Sequence, residues 1–231
     1  MKNFWPSRHV RQMVYEACSL NTLRFNFRYL PFRQAVHLPI WVSRHVRIRA
    51  LKGRLYLDNQ NNEIQTGLIK IGFDRVGIFD NRRSRTIWEV NGTIRFQGKC
   101  FIGHGCKISV AKQAELEFGN DFMCTAQSAF VTVKRISFGE GCTISWDCLI
   151  MDTDWHTIVD SAHKTINSPH PISVGSHVWI GCRTTILKGT TLAPGTIVAA
   201  CSIITKSSTQ PNCIIGKIPQ QVIKSHITWH R

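Results

Sequence analysis

An all-β solenoid of short parallel strands, stacked coil upon coil, is the fold class this sequence predicts, and three observations predict it. The first is a run of six consecutive hexapeptides over residues 174–209, VGSHVW IGCRTT ILKGTT LAPGTI VAACSI ITKSST, each opening on an aliphatic residue: Val174, Ile180, Ile186, Leu192, Val198 and Ile204. The second is the period itself. Six residues fit neither the repeat of an amphipathic helix nor the alternation of a hairpin strand, but they fit short strands joined by tight turns, with the opening aliphatics pointing into a shared interior. The third is turn chemistry: Gly175 and Gly181 follow their aliphatics directly, and Gly189 and Pro194-Gly195 add further breaks.

Residues 1–58 form a basic, aromatic-rich N-terminal region, with an amphipathic helix expected near 8–20. It holds eleven Lys or Arg against only Glu16 and Asp58. Trp5, Phe25, Phe27, Tyr29 and Phe32 have two compatible readings. They cover the open end of the solenoid, whose first coil would otherwise expose apolar side chains and backbone, or they sit at the surface of an anionic bilayer.

The β-helix is expected over residues 59–206, irregular at first, with segments such as GLIKIGF, TIWEV and GTIRFQG. The hexapeptide spacing then recurs in patches, at Ile102 and Ile108, at Phe118, Cys124 and Phe130, and at Phe138, Ile144 and Ile150. Cys106, Cys142 and Cys148 each lie four residues after a repeat opener, where a small inward residue suits a solenoid. After Ile150 the register breaks. Residues 151–173 are polar, contain two prolines and read as a loop leaving the coil, which resumes at Val174. Residues 207–231 read as a short closing segment.

A chain of 231 residues with a formal net charge of +15 calls for anionic partners. Nucleic acid is not among those expected, because there is no zinc-finger spacing, basic zipper or aromatic RNA-binding signature. No apolar run is long enough to span a membrane or form a signal-peptide core, so a cytoplasmic protein is expected. Nine cysteines, an odd number without CxxC spacing, give no disulfide or zinc framework.

The loop carries the chemistry. Asp152-Thr153-Asp154-Trp155-His156 puts two carboxylates within four residues of a histidine. Histidine is the natural general base near neutral pH, and a neighbouring carboxylate, Asp154 or Asp152, can fix its tautomer. His156, His163, His170 and His177 are spaced by seven, which spreads them along a loop and offers no convergent metal set.

The segments SWDCLIMDTDWHTI (145–158), VGSHVWIGCRTTILKG (174–189) and GKIPQQVIK (216–224) resemble the hexapeptide-repeat acyltransferases. Among these the chain is most similar to the bacterial O-acetyltransferases of capsular and lipopolysaccharide sugars, over roughly residues 20–230, with HVWIGC as a specific motif of the class. The resemblance implies a left-handed parallel β-helix and a homotrimer, with acetyl-coenzyme A in a groove between subunits. It matches His156 to the family's catalytic histidine, which deprotonates a sugar hydroxyl. It matches Cys182, Ala200, Thr205 and Lys206 to residues of the coenzyme groove, with Lys206 near the nucleotide phosphates. Trp179 either shapes that groove or packs.

Two departures qualify the match. Gln221 stands where a basic residue often meets a coenzyme phosphate, which leaves that contact to Lys217 or Lys224. Ala199-Ala200-Cys201 replaces the usual small triplet ending in glycine. The expected function is acetyl transfer from acetyl-coenzyme A to a sugar hydroxyl of a surface glycan or its precursor. Peripheral contact with an anionic membrane fits the basic N-terminal region. A catalytically silent trimeric binding or assembly module is the alternative.

Overall fold

The computed structural model describes residues 15, 17–58, 64–73, 76–80, 83–216, 221–226 and 228–229. Among the described residues, the helices α1 (Leu20–Tyr29) and α2 (Phe32–Ala35) precede a parallel β-helix. The first coil is β1 (Ile40–Val42), β2 (Val46–Leu51) and β3 (Arg54–Leu57), and the second is β4 (Ile69–Phe73), β5 (Thr86–Val90) and β6 (Thr93–Phe96). The third is β7 (Cys100–Gly103), β8 (Lys107–Val110) and β9 (Glu115–Phe118), and the fourth is β10 (Phe122–Cys124), β11 (Ala129–Thr132) and β12 (Arg135–Phe138). Then come β13 (Thr143–Ile144), β14 (Leu149–Met151) and β15 (Ile172–Val174), followed by β16 (Trp179–Ile180), β17 (Thr185–Leu187) and β18 (Thr191–Leu192). The stack ends with β19 (Ile197–Val198), β20 (Ile203–Ile204), β21 (Cys213–Gly216) and β22 (Gln221–Ser225).

Strands in the same place on successive coils pair in parallel and make three faces. Face A is a nine-stranded sheet running from β1 through β4, β7 and onward to β21, with β22 added antiparallel. Face B is a seven-stranded sheet from β2 to β20, and face C a six-stranded sheet from β3 to β18. This is the all-β solenoid that the repeat predicts.

The repeat openers fill the interior. Ile150, Ile186 and Ile204 are register partners on face B, and Ile144, Ile180 and Val198 on face A; all six are buried. A side chain of this size contributes roughly 1.5–3 kcal/mol when fully buried. In the middle coils the interior is aromatic. The Phe118 ring stacks between Phe96 and Phe138 at 5.5 and 5.7 Å and meets Phe122 at 4.5 Å.

Two boundaries differ from expectation. The solenoid begins at Ile40, inside the basic region assigned to residues 1–58, because β1 already pairs with β4 and β2 with β5. In β2 the exposed Arg47 and Arg49 alternate with inward residues, so the arginines that hid the strand are its outward positions. Register shifts at Ile48/Ala50 and at Ile71/Phe73 break the hexapeptide count in these coils. At the other end, β21 continues face A beyond residue 206.

The helix expected near 8–20 falls mostly outside the described residues, and the helix that covers the first coil starts at Leu20. Ser19 caps it, accepting from the Thr22 N–H. Asn26 bridges to both backbone groups of Ile40, and the Thr22 hydroxyl does the same for Val42, so the free edge of β1 is satisfied. Phe25 is fully buried against Trp88 at 5.1 Å, and Trp88 Nε1 donates to the Tyr29 hydroxyl. Burial raises the Tyr29 pKa, more than the Trp88 bond and Arg28 lower it.

Gly181, which opens a corner between faces A and B, is required by packing rather than by a left-handed backbone. A Cβ built there would lie 2.6 Å from the Ala200 nitrogen and 2.8 Å from the Val198 oxygen of the next coil.

Candidate active site

The loop leaves face B after Met151 and returns at Ile172. Its departure removes part of a corner. In the earlier coils, corner N–H groups donate to carbonyls of the following coil, Gly53 to Val90, Asn91 to Val110 and Ala111 to Thr132. At the fourth coil the carboxylate of Asp152 takes over, accepting from the N–H groups of Val133 and Lys134 at 2.7 and 2.8 Å. Asp152 is fully buried, and its carbonyl accepts from the N–H of His170 on the returning segment just before β15. It anchors both ends of the loop.

Beyond this anchor the chain turns back on itself. The Trp155 N–H donates to the Thr153 hydroxyl, Trp155 has a left-handed φ of 63°, and the His156 N–H donates to the Asp154 carbonyl at 2.7 Å. A small hairpin follows, with Val159 bridged to Thr165 and the Ile166 N–H donating to Ile158. Asn167 pins its base. Its Oδ1 accepts from the Ile158 N–H at 2.7 Å, and its Nδ2 donates to the His156 carbonyl at 2.7 Å and to Asp154 Oδ2 at 3.1 Å.

Lys188 completes the arrangement from the next coil. Its Nζ donates to Asp154 Oδ2 at 2.5 Å and to the Asn167 carbonyl at 2.8 Å. Register brings it there: Leu187 pairs with Met151, so Lys188 stands one coil on from Asp152 at the same corner. The ammonium, and secondarily the Asn167 amide, hold the Asp154 carboxyl below its ordinary range. Neither sequence neighbour therefore orients the histidine as expected. Asp154 is committed to Lys188 and Asn167, and Asp152 to backbone N–H groups. The His156 imidazole has no hydrogen-bond partner among the described residues and is exposed to solvent on a fixed backbone. Asn167 and Lys188 escaped the sequence reading, since an asparagine in a polar loop and a lysine at a turn carry no local signal.

The expected coenzyme residues fall into groups. Cys182 and Ala200 occupy successive levels of the A–B corner, where the Cys201 N–H donates to the Cys182 carbonyl at 2.9 Å. Cys201 is exposed with a φ of 58°, which explains why glycine is favoured there. Thr205 and Lys206 lie at the opposite edge of face B, one coil above Leu187 and Lys188, by the pairing of Ile186 with Ile204. Lys206 and Gln221 line an open groove of about 350 Å³ together with Ser207, Ser208 and Thr209. Lys224 is exposed on β22 opposite Ile214. Lys217 lies outside the described residues.

Trp179 is half-exposed on face A, and its Nε1 donates to the Ser145 hydroxyl at 3.2 Å. The chain's C-terminal segment reaches the same place. The Trp229 ring stacks on His177 at 4.3 Å and lies 5.9 Å from Trp179, and its Nε1 donates to the His177 carbonyl. The four histidines spaced by seven thus divide, with His177 under Trp229 and His163 at the hairpin tip. Burial raises the Cys148 thiol to about 11 and holds Cys100 and Cys124 well above the ordinary thiol value, so these three pack as protonated inward residues.

No family model matches the chain. Among curated proteins it is 26% identical, over 88% of its own length and 86% of the relative's, to an uncharacterized 24.8 kDa protein in the cps region of Klebsiella pneumoniae. It is 30% identical to the polysialic acid O-acetyltransferase of Neisseria meningitidis, over 57% of this chain and 59% of that protein. It is 26% identical to the polysialic acid O-acetyltransferase of Escherichia coli O1:K1 / APEC, over 59% of this chain and 42% of that one. The chain therefore spans less than two thirds of the two named enzymes, and over that part it is similar to sugar O-acetyltransferases.

Proposed function

We propose that this protein is an acetyl-coenzyme A-dependent O-acetyltransferase acting on a sugar hydroxyl of a bacterial surface glycan or its precursor, with His156 as general base. The observation that carries the proposal is the exposed imidazole of His156 on a backbone fixed by Asn167, Asp154 and Lys188, in a chain similar to sugar O-acetyltransferases. A ring nitrogen of His156 takes the proton of the acceptor hydroxyl as its oxygen attacks the thioester carbonyl carbon. The C–S bond then breaks, coenzyme A leaves as a thiolate and collects the proton from the imidazolium, and the sugar carries the new acetyl ester. No covalent enzyme intermediate is required.

Small residues at Cys182 and Ala200 fit a pantetheine arm passing that corner, and the groove of Lys206, Ser207, Ser208 and Thr209 offers the cation and hydroxyl donors that phosphates need. Lys224, and in this reading Lys217, supply further positive charge. Face B supports the homotrimer. Its outward side shows the partly buried Leu149, Met151 and Leu187 and the exposed Ile203, apolar positions between the two groups of coenzyme residues that a second subunit would cover. The +15 charge favours an acidic glycan and a cytoplasmic protein resting on an anionic inner-membrane surface.

Calorimetry with acetyl-coenzyme A, using ADP to control for charge, tests the donor. Binding near one site per chain and tighter than ADP is the expected result. His156→Ala should keep that binding and lose about 10²–10⁴-fold in acetyl transfer to polysialic acid or another acidic glycan. Binding no tighter than ADP would reject the coenzyme, and full activity of His156→Ala would reject the base.

A further inference from the structure

Helix α1 has two apolar faces, and among the described residues the fold uses only one of them. Phe25 is completely buried on Trp88 and closes the solenoid end, whereas Leu20, Leu23 and Phe27, spaced three and four residues apart, form a stripe that is 84%, 46% and 49% exposed. Phe32, 73% exposed, extends the stripe through a 6.0 Å ring contact with Phe27. Arg24, Arg28 and Arg33 flank it and are also exposed. Residues 17–57 contain eight Lys or Arg and no Asp or Glu.

We propose that this face is a docking surface for an anionic lipid bilayer, on which the solenoid stands end-on. The apolar stripe enters the headgroup boundary while the arginine heads stay among the lipid phosphates. The charge selects the occupant. A second copy of the chain would bring two basic faces with no intervening carboxylate together, and a nucleic acid would leave Leu20, Phe27 and Phe32 without a function.

The orientation follows from the hydrogen bonds. Thr22 and Asn26 on the inner face of α1 bind the free edge of β1, so the opposite face points away from the coils along the solenoid axis. Four strand spacings separate β2 from β14, through β5, β8 and β11. At about 4.8 Å each, with a helix about 10 Å thick beneath, the loop of His156 stands about 30 Å from the lipid. If His156 is the base, as proposed above, the acceptor is a membrane-carried glycan reacting several sugars out from its anchor.

The full chain should be sedimented with vesicles of equal parts phosphatidylcholine and phosphatidylglycerol, and with vesicles of phosphatidylcholine alone. Three variants are compared: Leu20→Ser/Leu23→Ser/Phe27→Ser, Arg24→Gln/Arg28→Gln, and Lys112→Gln/Lys164→Gln as a control for net charge at distant exposed sites. Binding to the anionic vesicles only is expected, falling tenfold or more in the first two variants and less than twofold in the control. Leu20→Ser alone, at a position too exposed to affect the core, should weaken binding several-fold and guards against a misfolded triple variant. Absence of binding, wild-type binding by the apolar variants, an equal loss in the control, or a changed oligomeric state of the triple variant would each overturn the proposal. Coenzyme binding measured on the same samples reports separately on the acyltransferase reading.

Discussion

Lys188 Nζ lies 2.5 Å from Asp154 Oδ2, although the two residues are 34 positions apart and belong to successive coils. The pair joins the loop that carries His156 to the rigid wall of the solenoid. Asn167 shares it, donating to the same carboxylate oxygen and to the His156 carbonyl while accepting from Lys188 through its own carbonyl. Lys188 thus acts on the histidine only through the loop.

Lys188→Met should therefore lower kcat for acetyl transfer by tenfold or more, with little change in the affinity for acetyl-coenzyme A, because small misplacements of a reacting group are costly. The pair is partly exposed, so global stability should change by less than about 1 kcal/mol. Lys188→Arg should recover part of the loss. Single-turnover kinetics beside thermal melts separate these outcomes, and a large fall in melting temperature would assign Lys188 a structural role instead.

The Asp154 pKa is lowered in the fold, first by Lys188 and then by Asn167. A depressed carboxylate gives a contribution that is complete above its unfolded pKa and is lost as pH falls through the lower, folded value. The loop should stay tethered from neutral pH down through the ordinary carboxylate range and loosen only below it. In Lys188→Met the Asp154 titration should move upward, which carboxyl chemical shifts would detect.

Asp152 is the residue whose loss should unfold the loop's base. Both its oxygens accept backbone N–H groups, and a charged hydrogen bond contributes about 1.5–3 kcal/mol. Asp152→Ala should cost about 3 kcal/mol or more, a fall of roughly 6–12 °C in melting temperature for a chain of this size. A melt within about 2 °C of wild type would contradict this account of the corner.

Phe118 carries the central aromatic stack, touching Phe96, Phe122, Phe130 and Phe138. Phe118→Ala should destabilise the chain by about 3–5 kcal/mol, measured by denaturant unfolding. Phe118→Leu should cost clearly less, since it leaves a smaller cavity.

Cys201→Gly should be neutral or stabilising by up to about 1 kcal/mol, because the left-handed φ of 58° favours glycine. Cys201→Val, β-branched at the same φ, should destabilise. Gly181→Ala should destabilise as well, since its new Cβ would meet backbone atoms that have no freedom to withdraw. Thermal melts of the three variants provide the comparison.

The amino-acid sequence alone determined the solenoid and the position of its loop. A strict six-residue spacing of aliphatics is a local signal, and every opener from Val174 to Ile204 is buried where the period places it. The same period failed over residues 40–57, where a bulge at Ile48/Ala50 and outward arginines masked the strands. His156 was legible as a histidine beside carboxylates in a polar excursion, but its surroundings were not. The partners of Asp154 are fixed by coil stacking, which brings residue 188 beside residue 154. The burial of Asp152 follows from backbone N–H groups that the departing loop left without acceptors. The division of α1 into a buried Phe25 and an exposed Leu20 and Phe27 was likewise decided by the edge of β1, to which the polar Thr22 and Asn26 bind. Periodicity reports which residues face inward. Only the three-dimensional register of one coil on the next decides which polar groups find each other.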